Sequence, residues 1–236
     1  MKRFYKTVSV AGTPGGQQLL LDGRPVKTPA RASLVLPNPL LAQAVAEEWE
    51  GQGEEIVITS MPMTGFANAA IDRVAPDPDR FISDIVAYGE TDTLCYRADP
   101  GDPLAERQQK VWEPILAWAE QRYDISLVRV AGIIHQPQSQ HSLSRLQSVV
   151  SSFNPFGLAG LSTLTSIGGS LVAALALLEN AYDSGMIWDA VCLEELWQIE
   201  LWGADADAEA TRQLRRVAFD DAHRFCSMAQ DASGER

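Results

Sequence analysis

The chain has 236 residues, 46% of them apolar and 21% charged, with a net charge of −12 at neutral pH. That length suffices for a sizeable core in one large domain or two small ones, and the composition is ordinary for a soluble globular protein. Nucleic-acid binding requires the opposite charge balance, so that class is excluded.

In chain order, residues 3–36 read as strands. Phe4–Val10 partly alternates, Gln17–Leu21 follows a Gly-rich turn, and Arg31–Leu36 ends at Pro37. Asp22-Gly23 between the last two is a hairpin signal, because the turn requires positive φ and Gly supplies it without steric cost. Asn38 is placed to cap a helix that has Pro39 at its first position and Leu40, Leu41, Ala44, Val45 and Trp49 at helical spacing. Glu54–Thr59 reads as a short strand, Gly65–Val74 as a helix, and Asp79–Gly89 as another, announced by Pro76-Asp-Pro-Asp. Tyr88–Arg97 favours an extended segment. The domain change falls there, which divides the chain into residues 1–100 and residues 101–236.

Beyond Pro103 the pattern is helical: Leu104–Tyr123, His141–Phe153, Ser170–Ser184, Trp188–Gly203 and Asp205–Ala229, with a short extended piece at Leu127–Val130. Residues 147–178 carry no charge, long enough to span a bilayer. Serines, threonines and glycines dilute the stretch, however, so it reads as two buried helical pieces broken near Gly168-Gly169. Asp231–Arg236 reads as a loose tail.

The acid excess is uneven. Residues 1–60 balance to zero, whereas residues 146–211 contain no Lys, Arg or His while nine acidic residues run from Glu179 to Glu209. An acidic face keeps a protein in solution and also suits a basic partner. Within this span, winding Trp188–Gly203 as one helix puts Trp188, Val191, Cys192, Ile199 and Trp202 on one side with Glu195 in its middle. A carboxylate on an apolar stripe needs a partner, and none is near in sequence, so it comes from a distant part of the chain or from another protein. Trp197 lies roughly opposite Trp188. Tryptophan on both sides of a helix suggests one side buried and the other offered to a neighbour.

Catalytic and metal chemistry find little support. His135 and His141 sit six apart in a Pro/Gln-rich loop without a nearby Cys, and His223 is beside Asp220 and Asp221 on a polar helix turn, so no metal site is expected. No phosphate-binding loop and no Gly-x-Ser-x-Gly motif occurs. Cys95, Cys192 and Cys226 are odd in number and scattered, which fits buried free thiols in a reducing compartment. Asp92, between two threonines, suits a turn cap better than an acid/base. Glu194 and Glu195 point to different sides of their helix and cannot form a dyad.

Several stretches together resemble a known family: Arg3-Phe-Tyr-Lys6, Leu21–Pro29, Glu48-Trp-Glu-Gly-Gln52, Met61-Pro-Met-Thr64 with Ala70-Ile-Asp72, Thr91–Arg97, and Glu194–Gly203. In order and spacing they are similar to the ATP synthase assembly chaperone that handles the α subunit of the catalytic head, found in mitochondria and α-proteobacteria. The resemblance implies an α+β fold, with a small β-rich N-terminal domain carrying short helices and an all-helical C-terminal domain. It implies no catalysis and no cofactor. It also implies a chaperone that binds the unassembled α subunit and prevents self-association until the β subunit replaces it. The family's acidic position maps onto Glu194 and Glu195, and Trp197, Glu200 and Trp202 complete the expected partner-binding set. The resemblance points to a monomer that engages neither nucleic acid nor membrane. Met1-Lys-Arg-Phe-Tyr-Lys has no targeting pattern, unlike mitochondrial members, which suggests a bacterial cytoplasmic protein. The competing expectations are a small-molecule hydrolase using Asp92 or Glu195, and a structural subunit of a stable complex.

Overall fold

Asp22 and Gly23 both take positive φ, 48° and 74°, the mirror-image turn whose twist matches paired strands. It joins β2 (Gly16–Leu21) to β3 (Arg24–Pro25), while β1 (Val8–Thr13) runs antiparallel to β2 with Val8 opposite Leu21. β4 (Val35–Leu36) pairs with the first half of β2. The structure is a computed structural model describing residues 1–132 and 134–230; the tail expected at 231–236 lies outside the described residues.

α1 (Pro39–Glu50) starts where its cap predicts: Asn38 Oδ1 accepts the Leu41 N–H at 2.8 Å. The expected strand at 54–59 is absent. Residues 54–56 pair only with the first residues of the chain, Ile56 N–H donating to Met1 O at 2.7 Å and Arg3 N–H to Glu54 O at 2.8 Å. The Gln52 side chain then takes the Val57 N–H at 2.7 Å, and Ile58–Ser60 forms a 3-10 turn. A side chain that captures a backbone donor ends the ladder.

α2 (Pro62–Ala69) continues into a π-turn over Ala70–Val74. Its first turn is held by Glu48 of α1, whose carboxylate accepts N–H from Met63 at 2.6 Å and Thr64 at 2.8 Å, and the Thr64 hydroxyl at 2.7 Å. Asp72, at the end of this segment, accepts the Thr28 hydroxyl at 2.5 Å and the Ala30 N–H at 2.9 Å. Tyr5, Leu21, Ile56 and Met61 form a buried cluster with Val8, Val26 and Trp49 packed against it.

The rest of the chain is mostly helical: α3 (Pro78–Glu90), α4 (Pro103–Tyr123), α5 (Gln140–Val150), α6 (Pro155–Gly168), α7 (Leu171–Leu178), α8 (Ser184–Val191), α9 (Leu193–Trp202) and α10 (Ala206–Gln230). The extended piece near Tyr96 is the two-residue β5 (Tyr96–Arg97), parallel to β6 (Val130–Ala131). The uncharged stretch begins in the last turn of α5 and continues through α6 and α7, which break at Gly169, whose φ of 63° only Gly adopts readily. Among the described residues no helix is long and apolar enough to cross a membrane. Every residue of α7 is buried, and the helix packs against α4, where Trp112, Ile115, Leu116 and Ala119 are also buried. The α+β class expected from sequence is the one observed.

Packing divides the chain into two compact units that are not continuous stretches. One holds residues 1–78, 153–160 and the described residues from Arg224 on; the other holds Asp79–Ser152 and Leu161–His223.

The Glu48 clamp gives a direct test of the first unit. Glu48→Ala should lower the unfolding free energy by about 0.5–2 kcal/mol, the range for losing a helix N-terminal cap. A shifted urea midpoint at unchanged slope would report it.

Candidate functional site

The stretch Trp188–Gly203 is two helices, not the single one expected. Cys192 leaves helical geometry with φ −94° and ψ 7°, and α8 ends before it while α9 starts after it. Winding the two pieces as one continuous helix therefore misplaces α9. Trp188 is buried, its ring centroid 5.4 Å from that of Phe219. Trp202, expected on the same side, is instead 77% exposed beside Leu201 at 55%. Trp197 is half-buried.

Each candidate carboxylate of α9 has a partner from a neighbouring helix. Glu194 Oε1 accepts from Gln108 Nε2 of α4 at 2.7 Å, and Gln108, fully buried, uses its own Oε1 to accept the Ala98 N–H at 2.8 Å. Arg215 of α10 donates through Nη2 to Glu195 Oε1 at 2.6 Å. Its guanidinium carbon lies 5.9 Å from the Trp188 ring centroid, and Nη2 is 3.7 Å from Cys192 Sγ. Arg107 of α4 grips Glu200 with both terminal nitrogens, the Nη2–Oε1 bond measuring 2.7 Å, and lies over the Trp197 ring at 5.4 Å. These hydrogen bonds hold the Glu200 carboxyl below its ordinary pKa. Glu195 is therefore half-exposed and paired within the fold rather than centred on a buried apolar stripe. Its partner is twenty residues away in sequence.

Sequence reading did not single out Arg107, Gln108 or Arg215. Gln108 left a trace, since it lies in line with Trp112 and Ile115 at helical spacing, where a polar residue demands a partner. Also missed was the outward side of α10, where Leu214 and Val217 are exposed.

Asp92 has no access to solvent. Its oxygens accept N–H from Leu94 at 3.1 Å and Val172 at 3.0 Å, and Ser170 donates its hydroxyl as well. The carboxylate thus holds the Thr93–Cys95 turn and the first turn of α7 together. Burial pushes its pKa up to about 6 against the pull of those donors. Burial also pushes the thiols up, Cys95 to about 12 and Cys192 to about 11, and all three cysteines are buried and free. His135 Nδ1 sits 2.9 Å from the Tyr96 hydroxyl, and His141 Nε2 is 3.1 Å from Asp124 O. Among the described residues no group of three or more His, Cys, Asp or Glu side chains converges on a point.

Comparison with known proteins gives consistent matches. The family model described as ATP12 chaperone protein matches residues 2–120. The mitochondrial protein atp12 of Schizosaccharomyces pombe is 26% identical over 219 residues, covering 88% of this chain and 75% of that protein. The mitochondrial protein ATP12 of Saccharomyces cerevisiae is 24% identical over 262 residues, covering 91% and 81%. The crystal structure of Atp12 from Paracoccus denitrificans superposes with a TM-score of 0.93 at 37% identity, covering 97% of this chain and 98% of that one.

Asp92 offers a test that needs no partner. Its folded-state pKa stands above the ordinary 3.8, so the folded protein holds this proton more tightly than the unfolded chain. The stability it contributes is full below about pH 4 and is lost as pH rises through about 6. Asp92→Asn should remove that slope. The wild-type advantage in unfolding free energy should fall by about 3 kcal/mol between about pH 4 and about pH 7, measured by urea titration.

Proposed function

The chain belongs to the ATP12 chaperone family, a family of ATP synthase assembly chaperones, and from that premise we propose that it binds the unassembled α subunit of the catalytic head. By holding that subunit it prevents self-association until the β subunit takes its place. We place the contact on α9, through Glu194, Glu195, Trp197, Glu200 and Trp202.

The observation that carries this reading is the end of α9. Trp202 and Leu201 are exposed on a helix whose other outward groups include the carboxylates Glu194 and Glu200. An exposed aromatic–aliphatic pair beside carboxylates fits a segment with an apolar face and a basic rim, and tryptophan is over-represented among residues that dominate binding energy. The client must later be surrendered, so the affinity is moderate and the contact reversible. The protein acts as a monomer in the bacterial cytoplasm and performs no catalysis. A hydrolase built on Asp92 or Glu195 fits poorly, because the first is enclosed and the second is tied to Arg215.

Co-expression with the α subunit tests the reading. Leu201→Ser with Trp202→Ser removes only exposed side chains, so the variant should fold normally. It should bind the α subunit roughly 30-fold more weakly, as expected when a binding hot spot worth about 2 kcal/mol is lost, and leave most of it insoluble. A folded variant that keeps the α subunit in solution as well as wild type contradicts the reading.

A further inference from the structure

Glu195 and Glu200 are already paired in the free protein, by Arg215 and Arg107. We infer that these two arginines are internal stand-ins for basic groups of the client. Binding then proceeds by ion-pair exchange, in which the client's cations take the two carboxylates and the arginines withdraw. The inference rests on α9 being the client surface.

Exposure is the first reason. The side chains of Glu195 and Arg215 are 44% and 38% exposed, those of Glu200 and Arg107 51% and 37%. Ion pairs open to water contribute little to stability, so they break at little cost. The other multi-arginine group of this unit is built differently. There Arg97 and Arg129 share Glu113, Arg129 also holds Glu120, and the two arginine side chains are only 11% and 25% exposed. Such a network is braced and not readily exchanged.

The second reason is that each stand-in has another place to rest. Arg215 lies near the Trp188 ring and Cys192 Sγ, and Arg107 lies over Trp197. A guanidinium beside an indole retains a favourable contact after its carboxylate is taken. Glu194 lacks this arrangement, since its partner is the neutral and fully buried Gln108, so the exchange concerns Glu195 and Glu200 alone.

The consequence is selectivity. Because residues 146–211 contain no basic side chain, unmasked carboxylates on α9 would attract any cationic surface. A displaceable internal partner requires a client to bring both a cation and an apolar contact at once.

The test is a binding titration of the purified full chain against the isolated α subunit, with circular dichroism confirming the fold of each variant. Exchange predicts opposite signs. Glu195→Gln weakens binding, whereas Arg215→Met, which keeps an apolar stem against Trp188, tightens it by up to about fivefold, the upper end of what exposed ion pairs contribute. Arg107→Met behaves likewise. In the Glu195→Gln background Arg215→Met should have no effect, since no carboxylate remains to be freed. Arg215→Met that weakens binding or leaves it unchanged, while Glu195→Gln weakens it, overturns the exchange but leaves α9 as the client surface. The exchange is also overturned if Arg215→Met tightens binding equally in both backgrounds. If all of these variants, including the double serine variant at Leu201 and Trp202, bind as wild type does, the α9 surface itself is wrong.

Discussion

From Leu146 to Thr211 the chain supplies carboxylates and no base, so although Asp183 and Asp205 cap their helices with local backbone N–H groups, a side-chain cation for any acidic group there must come from elsewhere. The lenders are α4 and α10. Arg122 and Tyr123 reach Glu179, Gln108 reaches Glu194, Arg107 reaches Glu200, and Arg215 reaches Glu195. Trp112 adds a bond of the same kind, its ring N–H donating to Ala190 O at 2.7 Å. Polar bonds therefore tie α8 and α9 to the distant α4, and α9 to the α10 that follows it, and they leave the tip of α9, Leu201 and Trp202, without such an anchor.

Carboxylates elsewhere have a different task. Glu48 holds the first turn of α2, Asp72 the Thr28–Ala30 loop, and Asp92 the first turn of α7. Asp22 accepts N–H from both Lys6 and Thr7. These residues belong to the stretches on which the family resemblance rests, and what they do here is tie elements of the fold together through charge-assisted bonds to backbone donors. The residues that announce the family are thus largely scaffold. The exposed end of α9 carries the surface proposed for the client.

What could be read from the sequence follows from how local each cause is. The Asp22-Gly23 turn, the Asn38-Pro39 cap and the Gly169 break depend on a few adjacent residues, and each was legible. The break at Cys192 involves neither Gly nor Pro, so nothing in the sequence marked it, and with it went the orientation of Trp202. The strand read at 54–59 fails because the Gln52 side chain takes the Val57 donor, a competition that alternation does not reveal. Arg107 lies 93 residues before Glu200, and spacing cannot identify such a partner. The boundary read near residue 100 follows the change from extended to helical pattern; which residues pack together is a separate matter, since the compact units are assembled from separated stretches.

The central claim is that α9 receives the α subunit. Hydrogen–deuterium exchange of the full chain, with and without the isolated α subunit, tests it most directly because it reports each segment without a substitution. The account predicts slowed exchange over Leu193–Trp202 when the α subunit is bound. Protection confined to residues 1–78, with α9 exchanging as it does in the free protein, would contradict it.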